Sequence, residues 1–131
     1  MSRDAMNAAL KETLVPALRE HGFTGSLPHF RRILPTRVDL LTVQFDRHGG
    51  GFIVEISRCS PSGVATSWGK QIPVTRVTAH DLHPAKRHRL GSPRPGADGR
   101  WFRFDDGTPI PVVAISVLAH LDEAERWWSS G

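Results

Sequence analysis

The alternation of apolar and polar residues between Phe30 and Cys59 predicts an antiparallel β-hairpin. Apolar side chains recur at every second position in two runs, Leu41, Val43 and Phe45 and then Phe52, Val54 and Ile56. A period of two is typical of a strand with one buried face. The segment 47–50 between the runs ends in two glycines, which supply the positive φ angles of a hairpin loop. This loop pairs Phe45 with Phe52, and a shift by one residue would place the apolar side chains opposite polar ones.

The same register brings charged residues together at the far end of the predicted sheet. Asp39 falls opposite Arg58, and a short preceding strand, 29–34, places Arg32 opposite Asp39. One carboxylate between two guanidiniums predicts a structural ion cluster of Arg32, Asp39 and Arg58, whose hydrogen bonds offset the cost of burying charge. The alternative is an exposed sheet end, where such pairs contribute only roughly 0.2 to 1 kcal/mol.

Helical spacing of apolar residues marks both ends of the chain. Met6, Leu10, Leu14, Ala17 and Leu18 form a stripe that predicts a helix over residues 2–21, closed by a glycine at position 22. The proline at position 16 predicts a kink or a break between residues 12 and 15, because it removes a helical hydrogen bond.

A second helix is predicted from a cap at Thr108 onwards, with Pro109 in its first turn and an apolar stripe that continues to Trp128. The predicted fold class is α+β. An antiparallel sheet of about four to five strands packs against the N-terminal and C-terminal helices in two layers, as one domain over residues 1–131.

Composition places the chain among proteins of a reducing compartment. It has 131 residues and one cysteine, Cys59, which has no intrachain partner for a disulfide. No apolar run approaches the length of a membrane span, and the first residues mix charges where a signal peptide would be apolar. We therefore expect a cytoplasmic protein with no membrane association.

The formal net charge of +4 is unevenly distributed. Residues 70–103 contain eight Lys or Arg and two Asp, an excess of six, which leaves the remainder at minus two. Within this segment the candidate residues for binding a ligand or partner are Arg87, His88, Arg89, Arg100, Trp101 and Arg103. Guanidinium groups can hold phosphate or carboxylate, and an exposed ring can stack on a base. The alternative is that the aromatic rings belong to the core and the arginines flank it with their aliphatic stems.

Metal-binding and catalytic chemistry have less support from the sequence. His80, His83 and His88 with Asp81 invite a metal hypothesis, but a proline at position 84 interrupts any helix there and no cysteine cluster accompanies them. The triple glycine at 49–51 lacks the Lys-Ser/Thr and the following helix of a phosphate-binding loop. The sequence therefore predicts no metal, no cofactor and no catalytic residue.

Several short motifs carry a resemblance that covers most of the chain. They are Leu18-Arg19-Glu20-His21-Gly22-Phe23, Phe30-Arg31-Arg32, Val43-Gln44, Phe52-Ile53-Val54, Arg89-Leu90-Gly91 and Trp101-Phe102. Their order resembles a bacterial family known as domain of unknown function 4304 (DUF4304). The resemblance implies a cytoplasmic α+β domain and no established activity, substrate or cofactor. Small domains of this kind are similar to immunity proteins that neutralise toxins, although many of those are acidic and this chain is basic.

These observations favour a non-catalytic binding module whose basic second half recognises an acidic protein or an anionic ligand. Nucleic-acid binding through the same basic and aromatic surface is the alternative, since phosphate contacts use the same residue types. An enzyme that uses the histidine loop is a third hypothesis. The sequence leaves the partner and the oligomeric state open.

Overall fold

The structure is a computed structural model, and it describes residues 3–66, 68–91 and 102–130. Its helices are α1 (Arg3–Glu20), α2 (Ile110–Leu118) and α3 (Leu121–Ser129). Its strands are β1 (Thr24–Ser26), β2 (His29–Ile33), β3 (Val38–Phe45), β4 (Gly51–Cys59), β5 (Val64–Ala65), β6 (Gln71–Ile72), β7 (His88–Arg89) and β8 (Phe102–Arg103). Two short 3-10 turns, Ala79–Asp81 and Pro84–Lys86, lie between β6 and β7. The predicted α+β class is confirmed.

An antiparallel sheet in the order β1-β2-β3-β4-β7 forms the frame, and β8 pairs with β4 beside β7. The predicted hairpin register is confirmed, because Phe45 pairs with Phe52 and Asp39 pairs with Arg58. The pairing of Arg32 with Asp39 between β2 and β3 is confirmed as well. Gly49 and Gly50 have φ angles of 89° and 85°, so the loop uses the backbone conformation that glycine permits.

The helices pack on the face of the sheet that carries Leu41 and the other odd-numbered apolar residues of β3. The α1 stripe Met6, Leu10, Leu14 and Leu18 is buried in this core together with Trp128 of α3. Of the kink or break predicted in α1, the break is wrong, since one helix runs continuously from Arg3 to Glu20 with Pro16 inside it. Burial of apolar side chains on both sides of the proline compensates for the lost hydrogen bond.

The predicted single C-terminal helix is instead two helices. Helix α2 ends after Leu118, and His120 precedes α3, where its Nδ1 lies 3.0 Å from Oε1 of Glu123. The break lets the apolar residues of both helices reach the same core. The predicted stripe is therefore buried at several of its positions, although it is divided between two axes.

The opposite face of the sheet is covered by the segment that follows β6. Val77, Ala79 and Leu82 pack on Val38 and Leu40 and form a second, smaller core. This explains why β3 is buried on both faces over most of its length, which the alternation alone did not predict. None of the helices in the described ranges has the length and apolarity needed to cross a bilayer.

Candidate functional site

Arg32 lies at the centre of the ion cluster at the sheet end. Its Nε and Nη2 donate to Oδ2 of Asp39 at 3.0 and 2.7 Å, and its Nη2 and Nη1 donate to the two carboxylate oxygens of Glu125 at 2.6 and 2.9 Å. Its Nη1 also donates to the backbone oxygen of His21. All five guanidinium N–H groups therefore have acceptors, which is what a largely buried arginine requires.

This network joins four elements of the fold. Glu125 comes from α3, Asp39 from β3, and His21 follows α1, while Arg32 itself belongs to β2. Hydrogen bonds to Glu125 raise the pKa of Arg32 and, in return, lower the pKa of the Glu125 carboxyl. Since the Asp39 side chain is 0% exposed, the cluster is a buried one and the exposed alternative does not apply to it.

The second guanidinium on Asp39 belongs to Arg37, which corrects the predicted cluster. Arg37 Nε donates to Oδ1 of Asp39 at 2.8 Å. Arg58 faces the same side of the sheet, but its Nη1 donates to the backbone oxygen of Trp128 at 2.7 Å and its guanidinium lies over the Trp127 ring. The carbonyl groups at the C-terminus of α3 attract this cation, which is why Arg58 turns away from Asp39.

A cavity of about 480 Å³ opens beside this cluster. Arg37 and Arg58 line it together with the side chains of Thr36, Ser60 and Ser129. Cys59 also lines the cavity, and burial raises the pKa of its thiol, so the thiol adds no negative charge at neutral pH. We refer to the cavity formed by these residues as the sheet-end cavity.

In the ion cluster and the adjoining lining of the sheet-end cavity, guanidinium groups outnumber carboxylates. Three arginines, Arg32, Arg37 and Arg58, face two carboxylates, Asp39 and Glu125, which leaves an excess of one. Within the described ranges, Arg58 has no carboxylate at ion-pair distance. Its guanidinium contacts the Trp128 carbonyl and the Trp127 ring instead. The arrangement can hold an anion, because guanidinium groups that are fixed in place bind carboxylate or phosphate through paired hydrogen bonds.

Two members of the predicted basic set of the second half, the candidate residues Arg87, His88, Arg89, Arg100, Trp101 and Arg103, lie beside a buried glutamate. Arg87 and Arg89 lie 3.8 and 3.7 Å from the carboxylate of Glu55, a residue that is only 7% exposed. Arg87 also donates to the backbone oxygens of Leu82 and His80. Both arginines therefore connect this part of the chain to the buried carboxylate of β4.

The other members of the basic set lie elsewhere. His88 is on the helix side of the sheet, where its Nε2 lies 2.6 Å from Oε2 of Glu123. Arg103 lies 3.6 Å from the carboxylate of Asp105 in an exposed pair. Arg100 and Trp101 lie outside the described residues. The four described members thus all contact carboxylates, and they are divided between the two faces of the sheet.

Histidines on the outer face form a further polar group around Glu55. His80 Nε2 lies 3.1 Å from Oε1 of Glu55, and this hydrogen bond lowers the pKa of the glutamate. His29 Nδ1 lies 2.9 Å from Oγ1 of Thr42, and burial lowers the pKa of this histidine. Among residues 3–66, 68–91 and 102–130, no three His, Cys, Asp or Glu side chains cluster as metal ligands.

Sequence reasoning missed Arg37, Glu125 and Glu55. A signal existed for Arg37, because it stands two residues before Asp39 and so shares its strand face. No local signal identifies Glu125, since its role depends on where α3 crosses the sheet. Glu55 lies on the face of β4 opposite Phe52, Val54 and Ile56, and its burial follows from its contacts with His80 and Arg87 of the covering segment rather than from the strand pattern.

Together these features define an α+β protein with an open antiparallel sheet, a buried ion cluster and a cationic cavity. A model for the family described as domain of unknown function (DUF4304) matches residues 14–131. The chain belongs to this family. Searches of curated proteins and of solved structures each found no match.

Proposed function

We propose that the protein is a binding module that holds an anionic group, a carboxylate or a phosphate, in the sheet-end cavity. The observation that carries the proposal is Arg58, whose guanidinium lines the cavity without a carboxylate partner among the described residues. A cation placed in this way retains donors for a ligand, and the neighbouring Arg37 adds a second guanidinium.

Preorganisation supports the proposal. Asp39 holds Arg37 through its Nε, and the Trp128 carbonyl together with the Trp127 ring holds Arg58. A ligand therefore does not have to immobilise two flexible side chains, which would otherwise cost about 0.5–1.5 kcal/mol each. The residual positive charge of the cluster favours an anion over a neutral ligand.

Binding, rather than catalysis, is favoured by the chemistry of the lining groups. The hydroxyl groups of Ser60 and Ser129 are hydrogen-bonded within the protein, to Ser62 and to the Glu125 carbonyl. The thiol of Cys59 has a raised pKa and is a poor nucleophile. The anionic group can come from a small ligand or from an acidic protein surface, and the latter would fit an immunity-like role. We also propose a cytoplasmic location, which the single unpaired cysteine supports.

The proposal is tested by titrating the protein with inorganic phosphate and with a hexaglutamate peptide in a calorimeter. Arg58→Gln should weaken binding at least about tenfold, since hydrogen bonds to charged groups contribute about 1.5–3 kcal/mol. Arg58→Lys, which keeps the charge but loses the planar fork, should give an intermediate affinity. Thermal unfolding of each variant checks that the fold is retained.

Arg76→Gln is the matched control, because Arg76 is an exposed arginine of the basic second half that does not line the cavity. It should bind like the wild type. Unchanged affinity of Arg58→Gln, or an equal loss in Arg76→Gln, would contradict the proposal.

Nucleic-acid binding is the competing function, and salt dependence separates it from anion binding in the cavity. Arg87, Arg89 and Arg103 each contact a carboxylate, which reduces the cationic surface offered to a phosphate backbone. We expect no measurable affinity for generic duplex DNA at low salt. Binding that falls steeply as salt increases would favour the nucleic-acid function instead.

A further inference from the structure

A second cavity, of about 370 Å³, lies on the outer side of the sheet between the β5–β6 hairpin and the 3-10 turns. Its lining includes Trp68, His80, His83 and Lys86. It shares no residue with the sheet-end cavity. Its volume falls in the range of small-molecule sites, roughly 300–1,000 Å³. We refer to it as the hairpin cavity.

Trp68 is the feature that sets the hairpin cavity apart. Its side chain is 76% exposed, the largest exposure among the large apolar residues described. Close to it in the chain, Thr66 and Lys70 are joined by hydrogen bonds in both directions, at 2.8 to 3.0 Å, and the backbone N–H of Gly69 donates to the backbone oxygen of Thr66. An exposed tryptophan in the lining of a cavity offers a flat surface on which a planar ring can stack.

Polar and charged side chains line the same cavity as this ring, and their hydrogen-bond partners show which groups remain available to a ligand. His83 Nδ1 accepts a hydrogen bond from the backbone N–H of Ala85, so its proton is on Nε2, which is a donor. His80 is oriented by its hydrogen bond to Glu55. Lys86 forms no ion pair with a carboxylate in the ranges that the structure describes. Asp81 also lines the cavity, and its Oδ2 accepts hydrogen bonds from the backbone N–H and the hydroxyl group of Thr78.

We propose that the hairpin cavity binds a nucleotide, with the base stacked on Trp68 and the phosphate held by Lys86 and His83. The ammonium group of Lys86 supplies charge, and the Nε2–H of His83 supplies a directed hydrogen bond. A base needs both a stacking surface and polar groups at its edge, and His80 stands in the lining as such a group. A free phosphate would use only the cationic half of this arrangement.

Adenosine 5′-monophosphate is the probe, and adenosine and inorganic phosphate are the comparison ligands. Amide shifts of the 15N-labelled full chain should change along 64–69 and 80–86 on titration with the nucleotide. Trp68→Ala and Lys86→Gln should each weaken binding at least about tenfold, and adenosine or phosphate alone should bind more weakly than the nucleotide. Trp68 is so exposed that its replacement should leave the fold intact.

Two controls isolate this site. Lys11→Gln removes one lysine charge from α1 and should leave nucleotide binding unchanged. Arg58→Gln should weaken phosphate binding in the sheet-end cavity but leave the nucleotide-induced amide shifts of the hairpin cavity unchanged, so that failure here and failure of anion binding in the sheet-end cavity are distinguishable. The proposal is overturned if the nucleotide causes no saturable shifts along the hairpin cavity, if these shifts saturate at the same nucleotide concentration in Trp68→Ala as in the wild type, or if phosphate alone shifts the same amides with equal affinity.

Discussion

Asp39 is the residue on which the ion cluster depends most. Its carboxylate is fully buried, and it accepts hydrogen bonds from both Arg32 and Arg37. Removing one partner of a buried pair is costly because the remaining charge loses its compensation while still lacking water. Register alone predicts the pairing of Arg32 with Asp39, whereas the position of the Arg58 side chain depends on the C-terminus of α3, which the register does not contain.

Asp39→Asn should lower the free energy of unfolding by about 3 kcal/mol, since it keeps the shape of the side chain but removes its charge. Denaturant unfolding measures this change. The matched control is Asp105→Asn, whose carboxylate pairs with Arg103 in an exposed position, and which should cost less than about 1 kcal/mol. Equal effects of the two variants would contradict a buried cluster.

At the scale of elements, the hairpin of β3 and β4 was the most predictable part. Its register could be predicted because the apolar positions of the two strands and the glycines of the loop require the same pairing, which runs from Leu41 opposite Ile56 to Phe45 opposite Phe52. Helix α1 was predicted by its stripe, yet Pro16 did not break it because tertiary burial outweighed the local cost. The division between α2 and α3 could not be predicted from the spacing of the apolar residues, since the apolar residues of both helices pack into the same core.

Glu125 controls how α3 docks on the sheet, and acid titration tests this role. Its pKa is lowered by the hydrogen bonds from Arg32 first and by His21 further. A group with a lowered folded-state pKa contributes stability above its unfolded value, and this stability is lost as the pH falls through the folded value. The loss should therefore begin near pH 4.5, the ordinary glutamate value, and continue below it.

Glu125→Gln should flatten this part of the pH profile while lowering stability at neutral pH. Urea unfolding between pH 6 and about pH 3 measures the slope. Glu12→Gln, in the exposed middle of α1, is the control and should follow the wild-type profile. An unchanged slope in Glu125→Gln would exclude the proposed docking contact.

At the scale of the whole molecule, the two cavities proposed as binding sites share no lining residue and differ in character. The sheet-end cavity lies near the ends of β3, β4 and α3 and is cationic. The hairpin cavity lies on the covering segment and combines an aromatic ring with a lysine. The sequence drew attention to the basic second half as a whole, but several of its charges are used to fasten that segment to Glu55. Charge counting could not predict this use because it depends on a buried glutamate in a distant strand.

The location of a bound anion tests the central claim most directly. In a titration of 15N-labelled protein with inorganic phosphate, the side-chain Nε–Hε signals of Arg37 and Arg58 and the backbone amides of Cys59 and Ser60 should shift and saturate. The signals of Arg87, Arg89 and Arg103 should stay unchanged, because these side chains face Glu55 and Asp105. Shifts confined to these three arginines, or no saturable shift at Arg58, would contradict the account.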